Sequence, residues 1–191
     1  MRKSVLVAWL FCIGVPVVAE QSNQPESTWE EVGRWIETPH HEKLLRLRRD
    51  PATSIAPFTT DGCSGGMSAA WTPVAQIIPG FAENYSESPP WEACCVVHDQ
   101  AYYNAGETQT ALESYNARLN ADEALMQCVL QDGVQRRDTL AEEFSIDTSV
   151  VDQAYTLIAN GMYQAVRLGG GPCSGLSWRW GYGYPSCLWS N

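Results

Sequence analysis

Positive charge is what this chain has least of: 12 lysines and arginines stand against 22 aspartates and glutamates. That deficit argues against nucleic acid as a partner, because such binding rests on neutralising phosphates with basic side chains. It also disfavours strongly anionic membranes, where each nearby Lys or Arg supplies about 1 kcal/mol of attraction. Long apolar runs are scarce too. Val5 to Val18 is too short for a comfortable membrane span, and no later segment comes close. This run follows Arg2 and Lys3, and Val17 and Ala19 are placed for cleavage, which is the pattern of an export signal over residues 1–19 rather than of an anchor or a buried N-terminal helix. Internal repeats are lacking, so nothing points to a repeat architecture. The 191 residues suffice for one packed domain.

Export gives the cysteines their meaning. Of the seven, Cys12 leaves with the signal, and Cys63, Cys94, Cys95, Cys128, Cys173 and Cys187 remain, an even number in an oxidising compartment. Three disulfides are the natural outcome. The competing reading is zinc, since Cys94 and His98 stand four residues apart and Cys95 and His98 three apart. A secreted thiolate site would have to escape oxidation, which weighs against it. Without Arg2 and Lys3, 10 basic residues face the 22 acidic ones, a formal charge near −12 on a mature chain starting near Glu20.

After the signal the pattern is mainly helical and falls into three stretches: an N-terminal helical segment (20–56), a core (57–171) and a cysteine-closed tail (172–191). Ser27 and Glu30 have capping-box spacing, and Trp29, Val32 and Ile36 share one helical face. In HEKLLRLRRD (41–50) the leucines interleave with four basic residues, as in a solvated helix face or an interfacial helix. His40 and His41 stand before it without an evident partner and read as structural. From Pro51 to Pro90 the chain is loop-like, and a loop that long usually has a job. Pro89 and Pro90 open a helix through Tyr103 that ends at Gly106. Thr110 and Glu113 begin a second long helix, antiparallel to the first and running to about Leu130 before Gly133. A further helix follows Ser149, carries an apolar stripe from Val150 to Val166, and stops at the glycines 169–171. In the tail, Trp178, Trp180, Tyr182 and Tyr184 alternate in a strand-like period, as in a hairpin packed on the core or an aromatic surface entering a lipid interface.

The densest chemistry lies in WEACCVVHDQAYYNAG (91–106). On a helix, Cys94, His98 and Tyr102 fall on one face, with Cys95 and Asp99 on the neighbouring one. Adjacent helical cysteines point about 100° apart, so each needs a different distant partner. The second helix offers Cys128 and the preceding loop offers Cys63; Cys173 and Cys187 are left to close the tail.

CCVVHDQAY resembles the Cys-Cys-x-x-His-Asp-x-x-Tyr motif of secreted phospholipases A2. DGCSGG upstream resembles their calcium loop, and DEALMQC places Asp122 six residues before Cys128, similar to the aspartate and cysteine of the family's next helix. The resemblance spans residues 61–128. It implies a mainly α fold: a pair of long antiparallel helices stapled by disulfides, with a calcium loop and a further C-terminal helix. It implies the pairs Cys63–Cys95 and Cys94–Cys128. It also implies a calcium-dependent phospholipase A2 that hydrolyses the sn-2 ester of glycerophospholipids at a phospholipid aggregate or membrane surface, acting as a monomer. His98 would be the general base for water, without a covalent intermediate, and Asp122 and Tyr102 its supports. Asp99, Asp61, Gly62 and Gly65 would be the Ca2+ ligands, with Asp61–Gly62 closest to the microbial members. Keeping the staples without the chemistry would instead make a binding module or toxin. Mass spectrometry of the unreduced protein is expected to find three disulfides; free thiols at Cys94 or Cys95 would return the argument to zinc.

Overall fold

A computed structural model describes residues 28–63, 77–78, 80–85 and 89–188. The expected signal segment, Cys12, the Ser27 cap and Gly65 lie outside them. Among the described residues five α-helices carry the fold: α1 (Thr28–Arg49), the short α2 (Phe81–Tyr85), α3 (Glu92–Asn104), α4 (Ala111–Phe144) and α5 (Thr148–Gly169), with one 3₁₀ turn at Ala105–Glu107. No strand occurs among the described residues, and no helix among them is long and apolar enough to cross a membrane. The expectation of a mainly α chain with three disulfides holds.

Local signals set most boundaries. Helix α4 starts in a complete capping box, in which the Thr110 side chain accepts from the Glu113 N–H and the Glu113 carboxylate from the Thr110 N–H. Asp147 caps α5 by accepting from Ser149 N. Helix α3 ends on Ala105, left-handed at φ 57°, followed by Gly106 at φ 66°.

Two sequence expectations are corrected, the end of the second long helix and the strand-like tail. Helix α4 does not stop before Gly133 but runs on to Phe144. A glycine inside a helix weakens it without ending it, and this one makes room: a Cβ on Gly133 would meet Tyr155 Cγ at 2.5 Å. Tyr155 of α5 thus packs directly on the α4 backbone. On α1, Val32 and Ile36 are 42% and 55% exposed, so that face looks outward; Leu44 and Leu45 turn inward, making 41–50 an ordinary amphipathic turn. The tail forms turns rather than a hairpin, because Gly181 sits at φ +74° and Trp180 is buried while Trp178, Tyr182 and Tyr184 are half-buried.

Helices α3 and α4 run antiparallel: Cys94 bonds Cys128, His98 meets Asp122 and Tyr102 meets Arg118, descending α4 as α3 ascends. The remaining pairs are Cys63–Cys95 and Cys173–Cys187. All four sulfurs of the zinc reading's neighbourhood are thereby committed to disulfides, which removes that reading. Helix α5 lies along α4 and buries Val151, Ala154, Tyr155, Ile158 and Met162 with Leu125, Val129 and Leu140 of α4. A second core gathers Leu44, Tyr102, Ala105 and Trp180 with the tail disulfide.

Gly133→Ala tests the close α4–α5 approach. Alanine ordinarily gains about 0.5–1 kcal/mol over glycine in a helix, whereas overpacking costs about 1–3 kcal/mol. Urea unfolding is expected to show a net loss near 1 kcal/mol; a stabilised variant would refute the packing argument.

Candidate functional site

Between the two apolar cores lies a buried polar layer, and His98 is at its outer edge. Its side chain is 7% exposed. Nε2 lies 2.9 Å from Asp122 Oδ1, and Asp122 is fully buried. The carboxylate accepts, so Nε2 carries the proton and the Nδ1 lone pair faces the side of Asp99, whose Oδ1 is 4.0 Å away. Tyr102 donates its hydroxyl to the same Asp122 oxygen at 2.6 Å, its ring 4.1 Å from the imidazole. The helical spacing that put His98 and Tyr102 on one face is what brings both to one carboxylate of the antiparallel helix.

Burial pulls the His98 pKa down, but the hydrogen bond to Asp122, then the contact with Asp99, more than offset it and leave the value raised. Burial also pushes the Tyr102 hydroxyl well above its ordinary value, so it serves as a donor throughout.

Sequence reading missed the cations behind this pair. Arg118 is fully buried; its Nε donates to Tyr102 Oη at 3.1 Å, and its NH2 reaches the Val166 and Arg167 carbonyls at 2.6 and 2.8 Å. Its NH1 pairs with Glu37 of α1. Arg167, in the last turn of α5, donates from NH1 to Asp122 Oδ2 at 2.9 Å and from NH2 to Glu37 Oε1 at 3.1 Å. A fully buried carboxylate, Asp122, and a half-buried one, Glu37, thus meet two guanidiniums, as low-dielectric surroundings demand. A signal for Arg118 existed: it stands four residues before Asp122 on the face that later carries Leu125 and Val129. Arg167 and Glu37 left none, since contact with α1 and α5 is a tertiary fact.

His41 has the partners the sequence did not reveal. Trp180 Nε1 donates to Ser114 Oγ at 2.9 Å, Ser114 lies 2.8 Å from His41 Nδ1, and His41 Nε2 lies 3.5 Å from Glu37. Serine, histidine and glutamate stand in the order of a nucleophilic triad. Ser114 and His41 are both fully buried under Trp180, however, which leaves no place for a substrate. The structural reading of His41 holds, and burial lowers its pKa despite Glu37.

On the outer side, Thr59, Thr60, Asp61, Asp99, Ser177, Trp178 and Tyr182 line a cavity of about 200 Å³. Thr60 donates to Asp99 Oδ2 at 2.5 Å and accepts from Gly62 N at 3.0 Å. Gly62 needs its glycine: φ is +65°, and a Cβ would meet Glu92 Oε1 at 2.7 Å. Tail and loop are laced together by Tyr182 Oη to Thr59 O at 2.6 Å and by Ala56 N to Gly183 O at 2.8 Å. Of the expected ligands, Asp61 and Asp99 share this cavity and Gly62 adjoins it; Gly65 lies outside the described residues. The donors are oxygens, which suits a hard cation. Among the described residues no group of three or more His, Cys, Asp or Glu is gathered as a metal cluster.

Compared with known families, curated proteins and solved structures, the chain matches no family model, no curated protein and no solved structure.

Burial alone would raise the Glu37 pKa, but His41, Arg118 and Arg167 hold it at about 2, below its usual 4.5. A depressed carboxylate pKa stabilises the fold above the unfolded value and ceases to as pH falls through the folded one. Acid unfolding between pH 4.5 and about 2 should therefore be shallower in Glu37→Gln, which should also be less stable at pH 7; an unchanged acid limb would remove Glu37 from the network.

Proposed function

We propose that the chain is an exported, calcium-dependent phospholipase A2 cleaving the sn-2 ester of glycerophospholipids. The observation that carries the reading is the orientation of His98: Nε2 is engaged by Asp122 while Nδ1 faces Asp99, which with Asp61 lines the outer cavity. A histidine held that way can take a proton from water at Nδ1 as water attacks an ester carbonyl, then return it to the departing alkoxide. Asp122 and Tyr102 keep the ring from turning as its charge changes. Trp178 and Tyr182 give the cavity an aromatic wall that would shield one side of a reacting ester from bulk water.

Asp61, Asp99 and the Gly62 carbonyl would hold Ca2+, with Gly65 as the expected further ligand, and the bound ion would polarise the ester carbonyl and stabilise the oxyanion. A zwitterionic phospholipid aggregate suits a surface so poor in positive charge. The second reading, a non-hydrolytic phospholipase-like binding module or toxin, is favoured by one observation, the DGCSGG stretch, in which Cys63 is followed by Ser64-Gly65-Gly66 rather than by the Gly-x-Gly-Gly that the resembled loop often has.

Fatty-acid release from mixed micelles separates the two. The expected outcome is calcium-dependent hydrolysis, abolished by EDTA and lowered about 10²–10⁴-fold in His98→Gln. Activity that survives chelation or the substitution would overturn the mechanism, and no release under any condition would favour the binding module.

A further inference from the structure

Arg167 occupies a position that the proposed chemistry does not by itself require. It reaches the site from the far end of the chain's last helix, and its two terminal nitrogens bridge two carboxylates on two other helices. NH1 binds Asp122 Oδ2 on α4 at 2.9 Å, and NH2 binds Glu37 Oε1 on α1 at 3.1 Å. Its guanidinium also lies 5.5 Å from the Tyr115 ring centroid, which limits its own freedom. Arg118 is the lesser partner of the Asp122 carboxylate, with Nε 3.8 Å from Oδ2; its closer bonds go to Tyr102, Glu37 and two carbonyls.

The two oxygens of Asp122 therefore have separate tasks. Oδ1 accepts from both His98 Nε2 and Tyr102 Oη. Among the described residues, the close partner of Oδ2 is the guanidinium of Arg167. An aspartate carboxylate turns about its last torsion within a broad well. Pinning Oδ2 removes that freedom, so Oδ1 stays under the imidazole and the hydroxyl together. A forked, charge-assisted donor suits this better than a point charge, because it fixes direction as well as distance.

We propose that Arg167 is a positioning residue for the site: by clamping the second oxygen of Asp122, it aims the first at His98 and selects the imidazole tautomer that leaves Nδ1 free on the side of Asp99. This inference rests on the hydrolase reading for its consequence, since a free Nδ1 is what a base for water needs. The clamp also ties the site to α1 and α5. Glu37 pairs with both arginines, so the N-terminal helix and the end of the last helix meet behind the histidine, far outside the stretch 91–106 that carries the chemistry.

Arg167→Met, Arg167→Lys and, as a control, Tyr155→Phe provide the test. Tyr155 lies elsewhere along the α4–α5 seam and bonds Asp132, so its variant should lose stability while keeping wild-type turnover. Two readouts are compared: kcat and KM on mixed micelles, and the ring ¹⁵N shifts of His98 at a pH where the ring is neutral. Arg167→Met is expected to lower kcat roughly 10- to 100-fold with little change in KM, as expected when a reacting group is displaced by a fraction of an ångström. The ¹⁵N shifts should pass from a single Nε2–H form to a mixture of tautomers. Arg167→Lys should recover most of the turnover and the Nε2–H form by restoring one donor to Asp122.

A merely structural arginine would lower the unfolding midpoint of Arg167→Met, as in Tyr155→Phe, and leave kcat and the His98 shifts alone; that result overturns the inference. If Arg167→Met does not fold, Arg167→Gln, which keeps part of the stem over Tyr115, is read in the same way. If the wild type hydrolyses nothing, the hydrolase reading fails while the His98 tautomer still decides whether Arg167 positions the ring.

Discussion

The carboxylate of Asp122 is the constraint on which the rest of the structure depends. It is fully buried, and a buried charge must be paired and hydrogen-bonded or it is expelled. Its partners come from three elements: His98 and Tyr102 from α3, Arg118 from its own helix and Arg167 from α5. Arg118 and Arg167 introduce the opposite problem, and Glu37 of α1 answers it. One acidic side chain in the middle of α4 thus recruits the other three long helices, and the histidine of the proposed chemistry is oriented by the same contacts that hold the helices together.

The disulfides and the tail finish what this layer begins. Adjacent Cys94 and Cys95 point in different directions, so one is spent on α4 and the other on the loop that carries Asp61. The tail, closed by Cys173–Cys187, adds its own N–H groups to carbonyls at the end of α3: Gly181 N binds Tyr102 O at 2.6 Å, beside the Ala105 N–H, and Gly183 N binds Tyr103 O at 3.0 Å. Gly183 permits this closeness, since a Cβ there would stand 2.8 Å from the Tyr103 carbonyl oxygen. The tail aromatics accordingly divide their roles. Trp180 covers Tyr102 and Ser114, while Trp178 and Tyr182 wall the cavity beside Asp99. The proposed lipid chemistry would use a cavity built half from the motif-bearing loop and half from this tail.

Local features of the sequence determined a good part of this. The Thr110 and Glu113 capping box, the stripe from Val150 to Val166, the left-handed exit at Gly106, and the four-residue steps from Cys94 through His98 to Tyr102 are properties of neighbouring residues and were legible without a fold. The convergence of His98, Tyr102 and Asp122 was expected only from the resemblance, and the antiparallel register of α3 on α4 is what aligns them. What only the tertiary structure decided has a common cause: it depends on residues distant in sequence meeting across helices. Gly133 looked like a helix end until Tyr155 filled the space above it, and the aromatic alternation of the tail looked like a strand until Gly181 turned the chain. Glu37 and Arg167 carried no signal and His41 read only as structural, because a charged residue declares its partner only when the partner is beside it. Periodicity placed the histidine on its helix; the packing of α1 and α5 against α4 decided what stands behind it.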